Sequence, residues 1–147
     1  MRAVVQRVKY CNVTIDGTEK RGIGPGILVL LGVKDTDTPD LCSKMAEKCA
    51  GLRIFEDDEG KMNLSAEDMG YSAMVISNFT LYGDAKKGKR PSFIEAAKPP
   101  VSVDCYEEFL RQIRARRLQE VQAGEFGAEM QVELVNDGPV TIILEIE

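Results

Sequence analysis

Residues 2–10 read as a strand, with Val4, Val8 and Tyr10 as its apolar positions and Gln6 as a polar one. A second strand is expected over Asn12–Thr18, with Asp16-Gly17 as its turn signal. Gly22-Ile23-Gly24-Pro25-Gly26 reads as a turn; its glycines lack the spacing and the following helix of a phosphate loop. The uninterrupted apolar run Ile27–Leu31 predicts a central strand covered on both faces.

The period then changes. Thr38-Pro39 is the expected start of a helix, threonine as N-cap and proline at the first helical position. Leu41, Met45, Cys49 and Leu52 form its apolar stripe. Asp57-Asp58-Glu59-Gly60 is an acidic turn without the ligand spacing of a calcium loop. Ala73–Leu81 predicts a strand. Residues 82–101, with Pro91, Pro99 and Pro100, form a loop of a length that is often functional in compact domains. Ser102 is the expected cap of a second helix with the stripe Tyr106, Phe109, Leu110 and Ile113. Ala128, Met130, Val132 and Leu134 alternate with Glu129, Gln131 and Glu133 as a strand; Asn136-Asp137-Gly138-Pro139 breaks it as a turn, and Val140–Ile146 forms the last strand. Strands in runs, mixed with two helices, predict a mixed α/β sheet layered with helices.

At 147 residues the chain is expected to be a single domain, 1–147. No apolar run approaches the ~18 residues that span a bilayer. The start, Met1-Arg2-Ala3-Val4-Val5, lacks a signal-peptide layout, so a cytoplasmic protein is expected. The four cysteines form no CxxC pair and there is no histidine, so neither a metal nor another cofactor is expected. Cys42 and Cys49, seven apart, are expected in the core. The missing histidine also excludes Ser-His-Asp and Cys-His catalysis.

The net charge of −5 argues against indiscriminate coating of nucleic acid. Lys86, Lys87, Lys89 and Arg90 nevertheless concentrate four positive charges in five residues, a candidate phosphate contact. Arg111, Arg114, Arg116 and Arg117 gather at a helix end, where the helix dipole alone accounts for them.

Locally, Ser77-Asn78-Phe79-Thr80-Leu81 is a strand end and Asn136-Asp137-Gly138-Pro139-Val140-Thr141 a turn. As a pair they resemble the signature of the D-aminoacyl-tRNA deacylases. The likeness extends to Met1–Val8, Leu52-Arg53-Ile54-Phe55, Arg90-Pro91-Ser92-Phe93 and Phe126-Gly127-Ala128-x-Met130. Two positions depart: the family usually has glutamine where this chain has Asn78, and commonly threonine where it has Ala123.

The resemblance implies a three-layer β/β/α sandwich with a mixed, partly barrelled sheet and two main helices. It implies a homodimer that hydrolyses the ester of tRNA bearing a D-amino acid, or glycine as on mischarged tRNA(Ala), at its 3′-terminal adenosine. Gly138-Pro139, held cis in the family, enters the partner's pocket with Asn78 and Met130 and excludes L side chains; Arg7 braces this motif, with Asn136 and Thr141. Ser77, the Phe79 amide and Thr80 serve the developing oxyanion, in preference to a Thr80 nucleophile that nothing activates. The alternatives are an editing enzyme of the same superfamily acting on L-aminoacyl-tRNA, which would lack Ser-x-Phe-Thr-Leu, and a non-catalytic RNA-binding dimer.

Overall fold

Strand β1 (Arg2–Ile15) runs through both of the expected N-terminal strands without a break. The protein is described by a computed structural model covering residues 1–147. Asp16 and Gly17 take φ of 49° and 73°, the conformation of a tight hairpin turn. They return the chain into β2 (Glu19–Ile23), which the pattern missed because Glu19, Lys20 and Arg21 show no apolar alternation.

β3 (Gly26–Gly32) pairs antiparallel with Arg2–Val8 and is the expected doubly covered strand. Ile27, Val29 and Leu31 face the helices, whereas Leu28 faces the other way, and this explains its continuous apolar run. β6 (Ser72–Ser77) lies parallel to β3, and β7 (Val121–Ala123) parallel to β6. β8 (Met130–Glu145) pairs antiparallel along one edge of β1, while β2 and β3 share the other. The mixed sheet curls nearly into a barrel, with β2 approaching β6 and β7.

Two cores result. The larger lies between the sheet and helices α1 (Asp40–Gly51) and α3 (Val101–Arg114), where Met45, Cys49, Tyr106, Phe109 and Ile113 are buried. The smaller fills the curl of the sheet with Val8, Cys11, Val13, Leu28, Met74 and Ile76. The layering is the expected β/β/α. A third helix, the single turn α2 (Ala66–Met69), is added to the two expected; a Ser65/Asp68 capping box defines it. The acidic turn joins the short hairpin β4 (Phe55–Glu56) and β5 (Met62–Leu64). Its Asp57 carboxylate accepts from the Lys61 and Glu59 amides, which holds its pKa below the usual carboxylate range.

Both expected helix caps are corrected. Pro39 and Pro100 occupy the N-cap positions of α1 and α3, and neither Thr38 nor Ser102 makes a capping bond. The prolines enter with helical φ and lose no needed donor there. The strand expected over 73–81 stops at Ser77. Its partner β3 ends at Gly32, so the chain makes one last bond, from the Asn78 amide to the Leu31 carbonyl (2.8 Å), and curls into the 3-10 turn Phe79–Tyr82.

The Met1 ammonium is fully buried between both Asp37 oxygens (2.8 and 2.7 Å) and the Ile146 carbonyl (2.9 Å), tying the sheet to the approach of α1. Breaking one side of a buried pair typically costs ~3–5 kcal/mol. Asp37→Ala is therefore expected to lower the unfolding free energy by about that amount in urea titration; a loss below ~1 kcal/mol, the scale of an exposed pair, would refute this account.

Candidate functional site

A cavity of about 450 Å³ opens where β6 ends. The end of the β3–β6 ladder supplies Ser77, Asn78 and Phe79. The loop 83–100 folds across it and contributes Phe93, Ala96, Ala97 and Lys98. Phe126, Ala128 and Met130 close the far wall. Phe79 is 57% exposed at the rim and packs edge-on against Phe93, with centroids 5.3 Å apart. Gly124 lets Met130 reach the wall, because a Cβ there would lie 2.5 Å from the Met130 sulfur.

The 3-10 turn is pinned from both ends. The Arg2 guanidinium donates to the Leu81 carbonyl (2.7 Å) and lies 4.7 Å over the Tyr82 ring. The Thr80 hydroxyl donates to the Asn78 side-chain oxygen, an amide acceptor with no basicity to activate it. Thr80 does not line the cavity.

Among the lining residues Lys98 is the one ionisable side chain. The cysteines lie elsewhere as buried free thiols, and burial pushes Cys11 up to about 11 and Cys49 up to about 12, leaving both protonated and inert. No carboxylate, thiol or imidazole lines the cavity and the Ser102 hydroxyl beside Lys98 has no hydrogen-bond partner, so the chemistry it displays is that of amide and hydroxyl dipoles.

Asn136–Pro139 is not the expected turn between two strands. β8 is one continuous strand in which Asn136 and Thr141 stay paired with β1, and the four residues between them, Asp137–Val140, leave the ladder. Opposite them β1 advances from Gln6 to Val8, while β8 moves from Thr141 back to Asn136. Local sequence favours a reversal, but pairing of both β8 halves with the single strand β1 overrides it. The Gly138–Pro139 peptide is cis, and Gly138 takes φ 138°, a region for which glycine is suited.

The buried Arg7 side chain fills the gap. It donates from Nε to the Asp137 carbonyl (2.8 Å) and from Nη1 to the Ile54 carbonyl (2.7 Å). The Asn136 side chain accepts from the Val140 amide (2.8 Å) and donates to the Thr141 hydroxyl (3.0 Å). Gly138 and Pro139 themselves are exposed and do not line the cavity of their own chain. Along β1 and β8 the apolar side chains Tyr10, Val132, Val135 and Ile143 are exposed among polar ones such as Asn12, Gln131 and Glu133.

Lys86, Lys87, Lys89 and Arg90 occupy the exposed tip of a loop closed by a two-bond bridge between Asp84 and Ser92 (2.8 Å each). None of the four pairs with a carboxylate. Arg116 and Arg117, by contrast, pair with Glu67 of α2. Sequence reading missed Ala96, Ala97, Lys98 and Ser102 as cavity residues; the length and proline content of their loop were the available signal.

The chain was compared with known proteins. The family model described as D-Tyr-tRNA(Tyr) deacylase matches residues 4–145. A Carboxydothermus hydrogenoformans protein named D-aminoacyl-tRNA deacylase is 51% identical over 146 residues, covering 99% of this chain and all of that protein. A protein of the same name from Koribacter versatilis is 54% identical, covering 99% of this chain and 97% of that one. Among solved structures, the c-Myc DNA Unwinding Element Binding Protein superposes with TM-score 0.93 at 43% identity, over 100% of this chain and 99% of that one. A probable eukaryotic D-amino acid tRNA deacylase gives 0.88 at 15% identity over 99% and 98%, a likeness of fold.

Arg7→Met strands the Ile54 carbonyl, whose bond is buried, at a cost of ~1–3 kcal/mol, and releases the half-buried Asp137 carbonyl. The expected outcome is a stability loss of at least that size, with faster amide exchange concentrated at 137–140; uniform exchange across the chain would contradict a bracing role.

Proposed function

Since the chain belongs to the D-Tyr-tRNA(Tyr) deacylase family, we propose that it hydrolyses the ester joining a D-amino acid to the 3′ end of tRNA. The observation that supports this best is the character of the cavity. Its walls are apolar and aromatic, suited to a nucleoside and an amino-acid side chain. It holds no carboxylate, thiol or imidazole.

An aminoacyl ester is already activated, so stabilising charge on its carbonyl oxygen is sufficient chemistry. The Phe79 amide, at the start of the 3-10 turn, is the proposed oxyanion donor, with the Ser77 hydroxyl beside it; Thr80 supports the turn through its bond to Asn78. Water is the nucleophile, assisted by the neighbouring ribose hydroxyl of the substrate. Thr80 is not, since its proton is engaged by an amide oxygen.

Stereoselection is assigned to a second copy of this chain. In the proposed homodimer Gly138-Pro139 of one protomer enters the other's cavity and accepts the substrate ammonium on main-chain carbonyls. That main-chain wall, beside Asn78 and Met130, occupies the direction an L side chain needs. Glycine has no side chain to exclude, so glycyl-tRNA, including tRNA(Ala) mischarged with glycine, is also a substrate. Exposure of Gly138 and Pro139, their absence from their own cavity, and the exposed apolar side chains Tyr10, Val135 and Ile143 on β1 and β8 favour this reading. The unpaired cations Lys86, Lys87, Lys89 and Arg90 are the proposed phosphate contacts.

Purified protein is expected to sediment as two chains and to hydrolyse D- but not L-aminoacyl-tRNA, whereas stable binding without turnover would leave a binding module. Ser77→Ala and Thr80→Ala should lose less than the ~10²–10³-fold of a missing oxyanion donor; complete loss with Thr80→Ala would restore the nucleophile. Replacing Lys86, Lys87 and Lys89 by glutamine should raise KM and reduce the slope of log affinity against log salt by about 2. An unchanged slope removes these residues from the RNA path.

A further inference from the structure

Ser102 lines the cavity from the first turn of α3, 6% exposed, and its hydroxyl is the single buried side-chain polar atom of the protein with no hydrogen-bond partner. A helical serine commonly bonds back to the carbonyl four residues earlier. Here that carbonyl, of Lys98, takes the Ser102 amide instead (3.2 Å). No partner holds the hydroxyl in place on this cavity-lining residue, so it is free to serve as a donor to a ligand there.

The surroundings are positive. α3, 14 residues long, starts at an N-cap proline with no side-chain cap, so no side-chain oxygen opposes the positive end of its dipole, although the Ser102 amide itself is taken by the Lys98 carbonyl. Lys98, Pro99 and Ser102, all at this helix end, line the cavity, and the Lys98 ammonium has no carboxylate partner. Asp104, the acidic residue of the first turn, is exposed and outside the lining.

We propose that this end of the cavity, formed by the Ser102 hydroxyl, the uncapped turn of α3 and Lys98, binds a phosphate group. A neutral hydroxyl or base nitrogen can accept a single ordinary hydrogen bond here, whereas a phosphate oxygen also gains the charge-assisted part from the ammonium and the positive helix end. Resting on the aminoacyl-tRNA reading, its natural source is the phosphate on the 5′ side of the terminal adenosine, with the ester at Ser77–Phe79; free phosphate is the other source. Ser102 and Lys98 are positioning residues in this scheme and take no part in bond breaking.

The test titrates the full-length protein, and its Ser102→Ala and Lys98→Gln variants, with adenosine, adenosine 5′-monophosphate and inorganic phosphate, following amide shifts. The monophosphate is expected to bind roughly tenfold more tightly than adenosine, the scale of one charge-assisted hydrogen bond. Both variants should lose most of that gain while binding adenosine normally. On D-aminoacyl-tRNA they should raise KM with kcat unchanged. A gain for the monophosphate assigns the site to the substrate's own phosphate; binding of inorganic phosphate alone, lost in both variants, assigns it to a free anion. Equal binding of adenosine and its monophosphate, with no response to phosphate, overturns the site. If that occurs while the D ester is still hydrolysed, this inference fails alone; if wild-type protein leaves the D ester intact, the reading beneath it fails.

Discussion

The structure turns on a mismatch of register resolved by one side chain. β1 pairs with β8 on both sides of Arg7, yet β8 has more residues to place than β1 offers. The surplus leaves the ladder as an exposed bulge, and its main-chain groups lose the partners a strand would give them. Arg7 restores them. Its planar guanidinium bonds the Asp137 carbonyl on one side and the Ile54 carbonyl on the other, joining the bulge to the segment after α1. Asn136 completes the frame through the Val140 amide and Thr141 hydroxyl. A segment rich in turn-forming residues thus becomes fixed.

The cavity uses the same economy of means. It is made where a parallel ladder ends: β3 stops at Gly32, β6 at Ser77, and the chain curls under the hold of Arg2. Hydroxyls and main-chain amides collect at that edge, while aromatic rings from two loops provide an apolar wall. A cavity lined by no carboxylate, thiol or imidazole suits, in the proposed function, a substrate whose ester is already reactive. For such a substrate, selecting its handedness is the harder task, and in the proposed dimer that task falls to the bulge.

Much of this was legible in the sequence where local period and tertiary environment agree. The doubly covered β3, the buried stripe of α3 and the Asp16-Gly17 turn all follow from spacing. Errors arose where long-range pairing outvoted local preference. Asn136–Pro139 has turn chemistry, but only β1 decides whether the chain reverses there or bulges. Thr38 and Ser102 look like helix caps, but neighbouring prolines take the capping position. β2 and β7 are short and poorly patterned, and exist because a neighbour offers an edge. The cavity walls could not be read because Lys98 and Ser102 reach them through the path of an irregular loop. The paired motifs were visible, because both are contiguous in the sequence.

The bulge also determines which kinds of sequence drift the protein tolerates. Its geometry comes from a residue count between two paired stretches, so a side-chain exchange at Asp137 leaves the main-chain path largely in place. A single inserted or deleted residue between Gln6 and Val8, or between Asn136 and Thr141, has no slack to absorb it. It must either slide one half of β8 by a position, turning its apolar side chains outward, or redraw the exposed loop. Spelling can vary here; length cannot.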